Sequence, residues 1–162
     1  MIVAAPERTG SVVVGASTVD AVSSAPNLAE LMEEYAAESK IDGLPEPKAK
    51  LDLYRRLESV GMLHVFSALI DGELVGFITI LAPEMLHYSA IVAVSESFFV
   101  AKAHRHTLAG LKLLKMAEAM AKEKGSPVLQ VIAPYGGKLF ELLPKVGYTE
   151  CSRVFCKKLS NG

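Results

Sequence analysis

Residues 93–125 read AVSESFFVAKAHRHTLAGLKLLKMAEAMAKEKG, and the fold follows from how this stretch is parsed. Apart from Glu96, its first eight residues are β-branched, aromatic or small, and they end a β-type segment running from Tyr88 to Val100. A basic connection with Arg105 and Gly110 follows. The spacing then predicts a helix over Thr107–Lys124. Leu111, Leu114, Ala117 and Ala121 line its inner side, while Lys112, Lys115 and Lys122 mark the solvent side. Glu118 and Lys122 form a favourable pair one turn apart, and Gly125 ends the helix. A strand that enters a helix through such a turn is a natural anion site. The first helical N–H groups lack carbonyl partners, and the macrodipole favours negative charge there.

Upstream of this unit, Leu63–Ile70 and Glu73–Ala82 flank Asp71-Gly72, a strong hairpin signal. Before them, Lys48–Val60 predicts a helix with Leu53, Tyr54, Leu57 and Val60 on one face and Gly61 as its stop. Residues 27–40 predict another, capped near Ser23–Pro26, with Leu28, Leu31, Met32, Tyr35 and Ala36 on one face. Between the two, IDGLPEP is a break. Ser11–Gly15 predicts a first strand. Downstream, Pro127–Ala133 reads as a buried strand, Gly137–Lys145 as a short helix broken near Pro144, and Gly147–Leu159 as one or two closing strands. The order β-α-α-β-β-β-α-β-α-β implies an α/β or α+β domain with a mixed sheet.

The 162 residues, 51% hydrophobic and 22% charged, fit one domain with a sizeable core. A net charge of −1 does not suggest a nucleic-acid or anionic-membrane partner. No apolar run approaches the ~20 residues of a membrane span. The first ten residues lack a signal-peptide pattern. Cys151 and Cys156 match no zinc spacing and read as reduced thiols, so the expected location is cytoplasmic. His104 and His106, with His64 and His87 remote in sequence, do not make a metal set, and no metal is expected.

Element order and residues together resemble the GNAT superfamily of acyl-CoA-dependent N-acetyltransferases. The strand end SFFV (Ser97–Val100) precedes Arg105-His106-Thr107-Leu108-Ala109-Gly110, which is similar to the family's Arg/Gln-x-x-Gly-x-Gly/Ala signature. The tail KVGYTECSRVFCKKL resembles its closing turn and strand. The spelling around AGLKLLK resembles a bacterial and phage-associated subgroup. The resemblance implies one domain over residues 1–162. It also implies a mixed, mostly antiparallel central sheet flanked by helices, with splayed strands forming an acyl-CoA cleft. Three positions depart from the pattern. Leu108 replaces the first glycine, Leu143 stands where many members carry a general-acid tyrosine, and Gly136 stands where asparagine is common.

The implied cosubstrate is acetyl-CoA and the implied partner a small-molecule or peptide amine; a homodimer is common in the family. Arg105, His106, Thr107, Leu108, Ala109, Gly110 and Leu111 would bind the pyrophosphate. Leu108 is tolerable there if its side chain turns into the core. The bland alternative is a surface arginine beside a helix cap at Thr107. Phe98, Phe99 and Val100 would meet the acyl donor through backbone groups, one N–H polarising the thioester. The same three could be simple core. The amine must lose a proton, and Glu96, the acid within the apolar strand, is the candidate base, with burial expected to raise its pKa. A solvent-facing glutamate or an arginine partner is the competing reading. Tyr148 and Tyr135 are candidates for general acid or for a wall of the cleft. Loops Ile41–Lys50 and Pro83–His87 are expected to shape the acceptor pocket. A catalytically weak CoA- or partner-binding module, or an accessory protein without the cofactor site, is the alternative function.

Overall fold

The computed structural model describes residues 10–159. Strand β1 (Val12–Ser17) leads into a short helix α1 (Val19–Ser23), whose cap Thr18 accepts from the Ala21 N–H at 3.0 Å. Nothing in the sequence pattern announces α1, because so short a helix shows no period. Helix α2 (Leu28–Ser39) buries Leu31, and Leu28, Met32 and Tyr35 pack beside it, as the spacing predicts. Helix α3 (Leu51–Ser59) follows the IDGLPEP break and turns only part of its predicted face inward. Tyr54 and Leu57 pack on Val19, Leu63 and Val65, whereas Leu53 and Val60 are exposed.

Strands β2 (Leu63–Ile70) and β3 (Glu73–Leu81) form the predicted hairpin. Asp71 and Gly72 both take positive φ, 50° and 82°, as a two-residue turn matched to strand twist requires. The segment expected as one strand from Tyr88 is instead interrupted. A two-residue ribbon pairs β4 (Glu84–Met85) with β5 (Ala90–Ile91), and Ser89 turns at φ 48° between them. Strand β6 (Ala93–Val100) then joins the sheet, antiparallel to β3. At Gly76 the two strands come so close that a Cβ would sit 2.7 Å from the Phe99 carbonyl oxygen.

Helix α4 (Ala109–Glu123) is the long helix of the decisive stretch. Its buried stripe is Ala109, Leu113, Leu114, Ala117, Met120 and Ala121; Leu111 lies at the margin rather than at the centre. Strand β7 is only Leu129–Gln130, parallel to β6, and it is followed by α5 (Lys138–Leu142) and a 3-10 turn (Leu143–Val146). The predicted buried strand over Pro127–Ala133 is thus mostly unpaired, and Val128 and Ile132 are exposed. The closing strand is absent: residues 147–159 form no regular structure, and Val154, Phe155 and Leu159 are exposed. Alternating polarity gives a segment strand propensity, but a strand exists only where an edge accepts its hydrogen bonds.

The main sheet has the order β1-β2-β3-β6-β7. One face carries α4, packed on Ile78, Ile80 and Ala93. The other carries α1, α2 and α3, with Leu74, Phe77 and Phe99 beneath α2.

Candidate active site

The centre of the site is an irregularity in β6. Thr79 pairs with Ser97 but the next residue, Ile80, pairs with Ser95, so Glu96 is an extra residue in the ladder. Such a bulge breaks strict alternation. Phe98 and Ala93 lie with Ile78 and Ile80 on the α4 face, while Phe99 lies with Phe77 on the α2 face. The bulge therefore turns two consecutive side chains, Glu96 and Ser97, toward the side of α2 and α3. Both meet Thr79, whose Oγ1 donates to Glu96 Oε2 at 2.8 Å and lies 2.6 Å from Ser97 Oγ. The Ser97 N–H also donates to Thr79 Oγ1 at 3.1 Å. From α3, the Tyr54 hydroxyl donates to Glu96 Oε1 at 2.6 Å. Glu96 is exposed, against the expectation of a buried carboxyl. The bulge lifts it out of the alternation that would have buried it.

A further aromatic group, Tyr35, lies beside this region. Tyr35 of α2 meets Phe77 and Phe99 edge-on, with centroids 6.1 and 5.8 Å away. Burial, then the Glu96 charge, pushes the Tyr35 phenol pKa up. Tyr54 is pushed up further still, by burial first and then by its hydrogen bond to Glu96, so it stays a neutral donor.

Beside Glu96 the sheet opens. β6 and β7 pair only at Ala93–Leu129 and Val94–Gln130. A last tether runs from the Ile132 N–H to Ser95 Oγ at 2.9 Å. From Glu96 to Val100 that edge of β6 has no partner strand among the described residues. On the other edge, the Ala101 N–H bonds the Val75 carbonyl. In an antiparallel ladder the bonded residues alternate, so Phe99 exchanges its backbone groups with Phe77. Phe98 and Val100 consequently direct theirs to the open edge. Of the three residues expected to serve a ligand by backbone, Phe99 is committed to the ladder and its side chain to the core.

The connection to α4 is braced rather than free. Arg105 Nε donates to the Val100 carbonyl at 2.8 Å and Nη2 to Glu38 Oε2 of α2 at 2.6 Å. Its guanidinium lies 5.6 Å from the Phe99 ring centre. The arginine expected as a free anion-binding charge thus ties β6 to α2. Thr107 Oγ1 donates to the His104 carbonyl and accepts from the Ala109 N–H, closing the turn. Leu108 is the residue before the helix, and its side chain is exposed, not turned into the core. His106 is exposed on the same turn. The N–H groups of Gly110 and Leu111 at the helix start find no acceptor among the described residues. A Cβ on Gly110 would meet Val100 Cγ2 at 3.7 Å and Phe98 Cζ at 3.8 Å, so the helix start lies directly against the open strand. Unpaired helical N–H groups beside an unpaired strand edge fit a ligand that joins a phosphate to an amide-bearing arm.

Tyr148 is held on α4. Its hydroxyl donates to Glu118 Oε1 of α4 at 2.8 Å, and burial with that bond pushes its phenol pKa up. Glu96 is engaged by α3 and Tyr148 by α4. Tyr135 is exposed and packs on Phe140 at 5.4 Å. Cys151 and Cys156 are free and exposed. Among the described residues no cluster of three or more His, Cys, Asp or Glu could hold a metal, and no helix is long and apolar enough to cross a membrane. A hollow of about 710 Å³ lies elsewhere, between α1, α2 and the β2–β3 turn, and contains none of the residues above. Sequence reading missed Tyr54 and Thr79 as members of the site. Tyr54 shows there only as one apolar position of a helix, and Thr79 as a small residue inside a strand.

Residues 28–135 match the model of the Acetyltransferase (GNAT) family, and the chain belongs to that family. Its fold is accordingly that of an acetyl-CoA-binding acetyltransferase module. The match stops short of the unpaired tail. Solved structures share the fold. A ribosomal-protein-alanine N-acetyltransferase from Brucella melitensis biovar Abortus 2308 is 16% identical, with 93% of this chain and 100% of that chain covered and a TM-score of 0.69. The aminoglycoside acetyltransferase HMB0005 from an uncultured soil metagenomic sample is 19% identical, with 93% and 99% covered and a TM-score of 0.70. Glucosamine-6-phosphate N-acetyltransferase from Arabidopsis thaliana is 13% identical, with 91% and 97% covered and a TM-score of 0.69. No curated protein is significantly similar to the chain in sequence.

Proposed function

We propose that this protein transfers an acetyl group from acetyl-CoA to a primary amine by direct attack, with Glu96 as the base. The observation that carries the reading is the placement of Glu96 in a β-bulge beside the unpartnered edge of β6. Acetyl-CoA supplies the activated acyl group. The chain supplies position and proton handling. Val100 and Phe98 offer outward N–H groups that can orient and polarise a carbonyl. The α4 N-terminus, at Gly110 and Leu111, holds the phosphates through backbone donors. His106, Thr107, Leu108 and Ala109 shape that turn, and Arg105 keeps it in place through Glu38 and Val100. An amine near pKa ~10.4 is almost wholly protonated at pH 7. Glu96 takes its proton, directly or through one water. The general acid is not assigned, since Tyr148 is held by Glu118.

The acceptor approaches from the side of α2 and α3, past the loop 40–50. The relatives of known fold act on chemically distinct amines: an aminoglycoside, an amino sugar phosphate and a protein alanine. These three classes make a rational acceptor panel. The expected result is a rise in melting temperature with acetyl-CoA and CoA release with at least one amine. Absence of any thermal shift at millimolar acetyl-CoA would remove the reading. We assign the chain as one acetyltransferase domain of the bacterial and phage-associated type, working in the cytoplasm.

A second reading is a CoA- or partner-binding module with weak turnover. It is favoured by Arg105 being neutralised by Glu38 and by the exposed Leu108 in the signature. Clear acetyl-CoA binding with no acetylated product across the panel would select it.

A further inference from the structure

We propose that Tyr54 is a positioning residue that, with Thr79, holds the Glu96 carboxylate in its working orientation. The proposal rests on the reading of Glu96 as base. An exposed glutamate has three free torsions, and fixing them costs side-chain entropy. Two donors from two different elements remove that freedom here. Thr79 belongs to β3 and reaches Oε2 at 2.8 Å; Tyr54 belongs to α3 and reaches Oε1 at 2.6 Å. Each oxygen therefore holds one donor.

The proton count fixes the direction of every bond. Thr79 has one hydroxyl proton, and Glu96 Oε2 is an acceptor only, so that proton goes to Glu96. The bond between Thr79 and Ser97 must then be donated by Ser97. Tyr54 likewise spends its one proton on Oε1. A carboxylate has about four lone-pair sites, so one on each oxygen stays open toward solvent. Those open sites can take an ammonium or a bridging water. The phenol of Tyr54 is kept protonated by burial and by the adjacent carboxylate, so it orients Glu96 and does not relay protons.

Tyr54 also links the acceptor side to the chemistry. Its ring packs with Leu57 against Val19, Leu63 and Val65, which seats α3 on the sheet. α3 begins directly after the loop 40–50. A shift of α3 would therefore move one of the two donors on the base.

The test is a double-mutant cycle with acetyl-CoA and the best amine of the three-class panel. Tyr54→Phe keeps the ring and removes the donor. It should lower kcat about tenfold, as expected for losing a hydrogen bond to a charged group, with KM for acetyl-CoA unchanged. In the Glu96→Gln background the same change should alter kcat by less than about twofold, because the group being positioned is already gone. A crystal structure of Tyr54→Phe should show the Glu96 side chain displaced while α3 stays in place. Three results overturn the role. One is a Tyr54→Phe variant with wild-type kcat while Glu96→Gln is crippled, which removes the positioning role alone. Another is additive losses in the two backgrounds with weakened acetyl-CoA binding, which marks a structural role. The last is wild-type turnover in Glu96→Gln, or no acetylation of any amine, which removes the base assignment and this role with it.

Discussion

The two faces of the sheet treat polar groups in opposite ways. Under α4, Ile78, Ile80, Leu113 and Ala117 are fully buried, and the buried hydroxyl of Ser95 is matched to the Ile132 N–H. On the face toward α2 and α3, the aromatic pair Phe77 and Phe99 gives way to Thr79, Ser97 and Glu96, joined in one hydrogen-bonded row. Both sets of strand residues come from the same two strands, β3 and β6. The difference comes from one extra residue in β6, which puts two neighbours on the same side. One face holds the fold together, and the other presents a fixed carboxylate beside an open strand edge.

The sharpest way to break that contrast is Glu96→Gln. Loss of a general base should lower kcat by about 10²–10⁴-fold. Melting temperature should change little, because the side chain is exposed: the amide oxygen keeps one of the two donors, and the other hydroxyl can turn to accept from the amide NH2. Equal kcat with a lower melting temperature would make Glu96 a structural residue and erase the distinction between faces.

Leu113→Ala probes the other side. Removing a fully buried leucine side chain should cost about 2–5 kcal/mol in urea unfolding. The kcat of the folded fraction should stay close to wild type. A selective loss of kcat would show that the apolar face also tunes the chemistry.

Gly110→Ala tests the border between the faces. The added methyl meets only ordinary contacts, and alanine is the better helix former by up to ~1 kcal/mol. Stability should hold or rise, while affinity for acetyl-CoA, read by calorimetry, falls severalfold. Unchanged affinity would place the phosphates away from this helix start.

The smallest effect concerns His64 of β2. Burial first, and then the Lys124 charge, lowers its pKa below the ordinary value; a Gly61 hydrogen bond and Glu123 oppose this. Its Nε2 is buried without a partner among the described residues. The folded state thus binds the proton less well than the unfolded chain, whose histidine titrates near ~6.5. Stability present above that pH should fall as pH drops through ~6.5 toward the lower folded value, and then level off. His64→Gln should flatten that part of a urea-midpoint series between pH 7.5 and 5. An unchanged slope would assign the acid sensitivity to other groups.

Much of the scaffold could be read locally. Asp71-Gly72 specifies its turn through its own backbone preferences, and α4 shows its inner stripe by spacing alone. Arg105 and Gly110 mark the strand-to-helix turn, and Glu96 stands out as an acid in an apolar run. The same reading failed where pairing decides the outcome. The segment from Tyr88 is broken by a turn at Ser89, β7 shrinks to two residues, and residues 148–159 join no strand. It could not show that the Leu108 side chain is exposed or that Glu38 pairs with Arg105, because other elements set those surroundings.

What the sequence by itself determined is therefore the set of local elements and the stretch where strand meets helix, because propensity, turn chemistry and period act over a few residues. Only the tertiary structure decided that Glu96 sits in a bulge, that Tyr54 reaches it from 42 positions away, and that Glu38 claims Arg105 from 67 positions away. Register and hydrogen-bond partners are properties of two segments at once, and neither segment carries them alone.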